Sequence, residues 1–243
     1  MTVKITEERQ TDGGETNVTR LLDRRLPAAD QIYNALREEI ITCRIPPNEA
    51  ISENRVCGMF AVSRSPVRIA LTRLAEDGLI DIFPQRGTFV APIKMKQVIE
   101  SQFARTALEI ALVEEATRKW TPDHSAEAHR NLDDQRQHAA SGEAWEFYLD
   151  NERFHYLIAR AAGLEGVWKT VQSVKMLWDR IGHLANRVPG HCEDIITEHE
   201  AIVASVDSGD ARAAVKAMRV HMRSVFTGIA RLRPLHEDYF TDG

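Results

Sequence analysis

The chain has 243 residues, 43% of them apolar and 28% charged, with a formal net charge of -5. That length suits two modest domains or one large one, and the composition excludes a fibre or an intrinsically disordered chain. No run approaches the ~18 consecutive apolar residues of a membrane span, the first residues lack a signal-peptide core, and Cys43, Cys57 and Cys192 fit neither a disulfide framework nor a zinc ribbon, so a cytoplasmic location is expected.

Residues 1–25 are polar, pass through Asp12-Gly13-Gly14 and show no apolar period, so a mobile tail is expected there. Residues 26–92 then read as one small domain. Ile32, Leu36 and Ile40 recur every four residues between Asp30 and Cys43, which marks an amphipathic helix stopped by Pro46-Pro47. A second helix is expected from Ser52, a good N-cap, to Phe60. Ser63 is placed as the cap of a third, with Pro66 tolerated in its first turn. Val67, Ala70, Leu71 and Leu74 form the buried stripe of this helix, and the same period leaves Arg64, Ser65, Arg68 and Thr72 on the opposite side.

Gly78 supplies a left-handed helix stop, Leu79 to Phe83 a strand, Pro84-Gln85-Arg86-Gly87 a turn and Thr88 to Ala91 a second strand. A helix-turn-helix followed by a β-hairpin is a winged helix, whose second helix enters a DNA groove. Arg86 and Gly87 fall at the hairpin tip, where a glycine lets backbone approach a phosphate closely. From Arg25 to Pro92 there are eight basic and eight acidic residues, so DNA binding has to come from the local placement of Arg64 and Arg68 rather than from net charge.

Residues 93–235 lack a strand pattern and are broken at Thr121-Pro122, Ser141-Gly142, Ala162-Gly163, Pro189-Gly190 and Ser208-Gly209-Asp210, which predicts about six helices. Asn151 and His155 are four apart on one of them and share a face, about 6 Å apart at Cβ. His199 and His221 flank the break at Asp207–Asp210, about 12 and 16 Å along an antiparallel helical hairpin, and so stand at nearly one level. Three imidazoles with one oxygen donor suit zinc, nickel, copper or iron better than calcium, and zinc or nickel is the expected cofactor. A metal held only by neutral groups keeps its charge and favours an anion, for which Arg105 and Arg180 are candidate second cations. For Arg105 the competing expectation is an ion pair with Glu109, and for Trp168, Trp178 and Met176 core packing rather than a pocket wall.

The stretch from Pro46 to Pro92 resembles the winged-helix domain of the GntR family of bacterial transcription regulators. Its most specific part is Ser63-Arg64-Ser65-Pro66-Val67-Arg68 followed by Ala70-Leu71, Arg73-Leu74 and Asp77-Gly78-Leu79. The resemblance implies that Arg64 and Arg68 meet operator DNA, with Ser63, Ser65 and Asn54 beside them and Arg86 and Gly87 on the wing. The chain departs from the usual pattern at Asn48, Cys57-Gly58 and Ile69. From Val98 to Arg233 it resembles the all-helical FCD domain of the FadR-like subgroup. Three fragments carry that likeness: Arg105-Thr106-Ala107-Leu108-Glu109, Asn151-Glu152-Arg153-Phe154-His155, and Glu198-His199-Glu200-Ala201-Ile202 with Gly209-Asp210-Ala211 and His221. At Asn151 the family more often has Asp, and such domains recognise small organic acids.

The expected fold is mainly α, an N-terminal winged helix-turn-helix followed by a C-terminal all-α bundle that binds effector and dimerises. The expected function is a ligand-responsive repressor, a homodimer on near-palindromic double-stranded operator DNA, released by a small organic acid bound beside a divalent metal. Two other classes stand beside it: a hydrolytic metalloenzyme using the three histidines, and an architectural DNA-binding protein.

Overall fold

The structure, a computed structural model, describes residues 7–12 and 15–242, with side chains from Leu21 onward. The expected tail falls partly outside the described residues. Where the tail is described, β1 (Glu7–Asp12) and β2 (Glu15–Arg20) form an antiparallel pair of strands with Asp12 opposite Glu15. Thr and Val at alternate points of this polar segment favour extended backbone, which a search for apolar periodicity passes over. The chain divides into two compact units after Pro92.

In the first unit, α1 (Ala28–Ile41) buries Ile32, Leu36 and Ile40 against α3 (Arg64–Glu76), which buries Val67, Ala70, Leu71 and Leu74. Between them lie the short strand β3 (Ala50–Ile51) and α2 (Glu53–Phe60). Ser52 caps α2 by accepting the Arg55 amide at 3.3 Å, and Ala61 ends it in the left-handed region at φ 51°. Ser63 occupies the cap position of α3, but its hydroxyl makes no cap bond. That corrects the expected cap and leaves the exposed hydroxyl on the surface of the turn. Gly78 takes φ 70° and turns the chain into the wing, β4 (Ile80–Phe83) and β5 (Gly87–Val90). These pair antiparallel from Ile80 opposite Val90 to Phe83 opposite Gly87, and β3 joins the far edge of β5 to give the order β3-β5-β4. A two-residue strand such as β3 carries no readable alternation, so only the sheet partner reveals it.

The second unit begins with β6 (Ile93–Lys94) and the long α4 (Met95–Lys119). It continues through α5 (Pro122–Ser141), α6 (Ala144–Ala161), α7 (Glu165–Lys175), α8 (Asp179–Ala185), α9 (His191–Asp207) and α10 (Ala211–Leu232). That is seven α-helices among the described residues, one more than expected. A 3₁₀ turn at Met176–Trp178 separates α7 from α8, and no glycine or proline marks that break. The chain stays structured past residue 235, where β7 (Phe240–Thr241) pairs in parallel with β6, a small exception to an all-α unit. Leu112, Phe154, Ile158, Trp168, Val203 and Met218 centre a core shared by α4, α6, α7, α9 and α10. Trp168 therefore packs as a core residue. No helix of the described residues is long and apolar enough to cross a membrane.

Candidate DNA-reading face and candidate metal centre

On α3 the side chains of Arg64 and Arg68 are 63% and 65% exposed. Both lean toward the start of α2. Arg64 Nη2 donates to Asn54 Oδ1 at 3.1 Å, Arg68 Nε donates to Glu53 Oε2 at 3.0 Å, and Arg64 Nε lies 3.6 Å from Glu53 Oε1. Asn54 thus holds Arg64, and Glu53, which sequence reasoning passed over, orients both arginines. Exposed ion pairs of this kind contribute about 1 kcal/mol or less, so a nucleic acid can replace them at small cost. Ser63 and Ser65 are exposed at the start of the same helix.

Arg73, the third arginine of α3, has another task. Its guanidinium lies 4.2 Å from the centre of the Tyr33 ring and pairs with Asp30, both on α1. Tyr33 in turn donates its hydroxyl to Asp77 at the end of α3, and burial together with that bond pushes its ionisation up to about 12. These contacts fix the angle at which α3 stands on α1. At the wing tip, Arg86 and Gly87 are exposed, the turn uses Gln85 at φ 64° and Gly87 at φ 113°, and the Arg86 guanidinium sits 5.6 Å from the Phe83 ring centre.

In the second unit α6, α9 and α10 bring His155, His199 and His221 to one point. His221 Nε2 lies 3.3 Å from His199 Nε2 and 3.3 Å from His155 Nε2. Two of the rings are hydrogen-bonded from behind, and the third faces a carboxylate. His221 Nδ1 lies 2.8 Å from Glu198 Oε2, His199 Nδ1 2.9 Å from Gln135 Oε1, and His155 Nδ1 3.1 Å from Glu109 Oε1. Gln135 Nε2 donates to Asn131 Oδ1, which sets the amide so that its oxygen faces the imidazole. Those two hydrogen bonds, at His221 and His199, place a proton on Nδ1 and leave Nε2 of each ring facing the cluster. Phe154 stacks on His199 with ring centres 3.8 Å apart and holds it in place.

Burial holds His155 and His199 well below the usual histidine range, with neighbouring cations acting in the same direction, so both rings are neutral, the form that binds metal. Burial also raises Glu109, against the pull of Arg105. Three converging imidazole nitrogens, two of them on rings hydrogen-bonded from behind, fit a divalent transition metal of the zinc or nickel kind. Gln135, Glu109 and Glu198 as groups behind the rings were not legible in the sequence. The nearest signal is a glutamine at position 135 on the buried side of α5.

Asn151 lines a cavity beside the cluster, together with His221 and Arg105. Arg105 Nε also sits 3.4 Å from Glu109 Oε1, so the ion pair and the cavity position coexist. Arg180 is buried, with 1% exposure, but is not among the residues lining this cavity. The cation there besides Arg105 is Lys175, which no sequence signal marked. Its Nζ lies 2.9 Å from Glu152 Oε1 and also pairs with Asp179. Burial opposes its charge, but Asp179 and Glu152 outweigh burial and hold it above the ordinary lysine range. Trp178 also lines the cavity.

Residues 28–90 match the family model described as bacterial regulatory proteins, gntR family, and residues 100–224 match that of the FCD domain. The HTH-type transcriptional repressor RspR of Escherichia coli (strain K12) is 32% identical over 216 residues, covering 89% of this chain and 95% of its own. A regulator in an unstable DNA locus of Streptomyces ambofaciens is 34% identical over 209 residues, covering 86% and 88%. Among solved structures, Escherichia coli McbR/YncC superposes with a TM-score of 0.72 at 19% identity, covering 87% of this chain and 99% of that one. A GntR regulator from Rhodococcus sp. RHA1 gives 0.69 at 22% identity, covering 83% and 97%. With a winged helix and a helical histidine-bearing domain each matched by its own model, the chain belongs to the GntR family of bacterial transcription regulators and carries an FCD domain.

Proposed function

We propose that this regulator is a ligand-responsive repressor whose FCD unit senses a small organic acid bound beside a divalent metal. The observation that carries the reading is the convergence of three Nε2 atoms next to a cavity that also holds Arg105 and Lys175. His155, His199 and His221 would hold the metal, with Asn151 as a weaker, neutral fourth ligand. The metal would supply a Lewis-acidic positive charge. Arg105 would face the ligand's carboxylate, while Trp178 Nε1 and Gln102 Oε1, buried atoms of lining residues without a hydrogen-bond partner among the described residues, suit a ligand with both acceptors and donors. Arg180 would act behind the cavity rather than in it.

The DNA end of the reading rests on Arg64, Arg68, Ser63, Ser65, Asn54, Arg86 and Gly87, presented by α3, α2 and the wing. One winged helix reads a single half-site, and a domain with balanced charge gains little from non-specific attraction, so a homodimer on a near-palindromic operator is the form that binds well. An exposed apolar face supports a second copy: Phe103 is 80% exposed, with Ile99 and Phe226 beside it along one groove of α4 and α10. Effector binding would favour an arrangement in which the two winged helices no longer match the half-sites.

The test is a thermal-shift screen of small carboxylic acids against protein stripped of metal and protein loaded with zinc or nickel. Stabilisation by an acid that appears only with metal is the expected result, because ligand binding raises the melting temperature by mass action. No stabilisation by metal, alone or with any acid, would overturn the sensing assignment. A hydrolytic role finds no support in the family assignment.

A further inference from the structure

The outermost line of α3 is not its arginines. With about 100° of rotation per residue, the buried stripe Val67, Ala70, Leu71 and Leu74 places Ser65, Ile69, Thr72 and Glu76 directly opposite, and Arg64 and Arg68 on one flank. Ile69 is at the middle of that outer line and is 51% exposed. It is a branched apolar side chain between two small hydroxyl residues, on a helix whose flank presents two guanidinium groups. Water gains nothing from such a residue, and within its own unit it helps fill no core.

We propose that Ile69 reads a thymine, by packing against its C5-methyl group in the major groove. This rests on the reading that α3 is the DNA-contacting helix. The chemistry is specific: the thymine methyl is the one apolar feature that a base edge presents in the major groove. Ser65 and Thr72 leave room on either side of Ile69, so the side chain can approach the base edge. Arg68, its chain neighbour, reaches guanine from the flank. The half-site that α3 selects therefore holds a thymine next to the guanine that Arg68 contacts. A second copy of the chain covering Ile69 is the competing occupant, and it predicts a change in assembly instead of a change in base preference.

The experiment begins by selecting an operator from random-sequence duplexes with the full-length chain. Each thymine of the selected site is then replaced in turn by deoxyuridine, which lacks only the methyl group, and affinity is measured by competition. At a position adjacent to the Arg68-dependent guanine, wild type should lose about fourfold, the value expected for one buried methyl-sized group. Ile69→Ala should show no loss on the same replacement while keeping its guanine preferences and its sedimentation behaviour, which also reports that it is folded. Ile69→Glu should select sites without that thymine. Equal affinity of wild type for every deoxyuridine duplex, or an undiminished loss in Ile69→Ala, would overturn the assignment, as would a change of assembly state with base preference intact. If wild type selects no site at all, the DNA-reading role of α3 falls together with it. If it selects a guanine-containing site that is indifferent to deoxyuridine, the role of Ile69 alone falls.

Discussion

Glu109 Oε1 lies 3.1 Å from His155 Nδ1, and neither side chain has any exposure to solvent. The same oxygen is 3.4 Å from Arg105 Nε, so one carboxylate links a cavity-lining cation to a candidate metal ligand. A carboxylate at that distance sets negative charge beside the imidazole, which favours a cation on its other nitrogen. Glu109→Gln keeps the shape and removes the charge, and metal affinity should fall by about 10- to 100-fold. Competition with a chelator of known affinity measures it, with circular dichroism confirming the fold. An affinity equal to that of wild type would contradict the role given to Glu109.

His199 and Asn151 separate a metal centre from an ordinary polar core. His199→Ala removes one of three Nε2 donors and should leave purified, untagged protein with little metal by elemental analysis. Asn151→Asp adds a negative oxygen beside the cavity and should tighten the metal, while weakening any anionic effector because the net charge of the site drops by one. Equal metal content in wild type and His199→Ala would refute the centre.

Much of this was legible in the sequence, and the reason is periodicity. The apolar stripes of α1 and α3 fixed the helix-turn-helix, and the 1.5 Å rise per residue put His199 and His221 at one level across the α9–α10 hairpin, where their Nε2 atoms meet at 3.3 Å. What escaped depends on groups that turn inward from unrelated helices. Nothing in the local sequence of Gln135 or Lys175 tells that α5 aims one at His199, or that Glu152 and Asp179 surround the other. Arg73 belongs to the same group, since nothing in its local sequence tells that a ring contact with Tyr33 ties it to α1.

The two kinds of arginine on α3 should behave differently. Arg64→Ala and Arg68→Ala each remove a group able to pair with guanine, worth about 1 to 3 kcal/mol of discrimination, and should abolish selective operator binding with the fold intact. Arg86→Ala should weaken binding evenly across sequences and lessen its salt dependence. Arg73→Ala should leave base preference unchanged and cost about 1 kcal/mol or less of stability, as an exposed pair does. Competition with scrambled DNA, paired with thermal melting, distinguishes them; wild-type selectivity in Arg64→Ala or Arg68→Ala would sink the reading face.

The Tyr33 hydroxyl gives a prediction at high pH. Its ionisation is pushed up to about 12 by burial and by Asp77, against an ordinary value near 10. The folded state therefore holds this proton more tightly than the unfolded one. The stability it supplies is complete below pH ~10 and is lost as pH rises toward about 12. Tyr33→Phe should flatten this part of the pH profile and cost about 1 to 2 kcal/mol near neutrality, read from urea melts. An identical alkaline profile in the variant would show that Tyr33 contributes no such linkage.

Sensing and DNA reading meet in one titration. Labelled operator is bound by zinc-loaded wild type and followed by fluorescence anisotropy while mono-, di- and tricarboxylic acids are added. At least one acid should lower operator affinity by about 10-fold or more, within the range of ordinary coupling free energies. Arg105→Ala should bind the same operator normally and lose that response. Operator affinity unchanged by every acid, in protein shown to carry its full complement of metal, would contradict regulation through the FCD cavity.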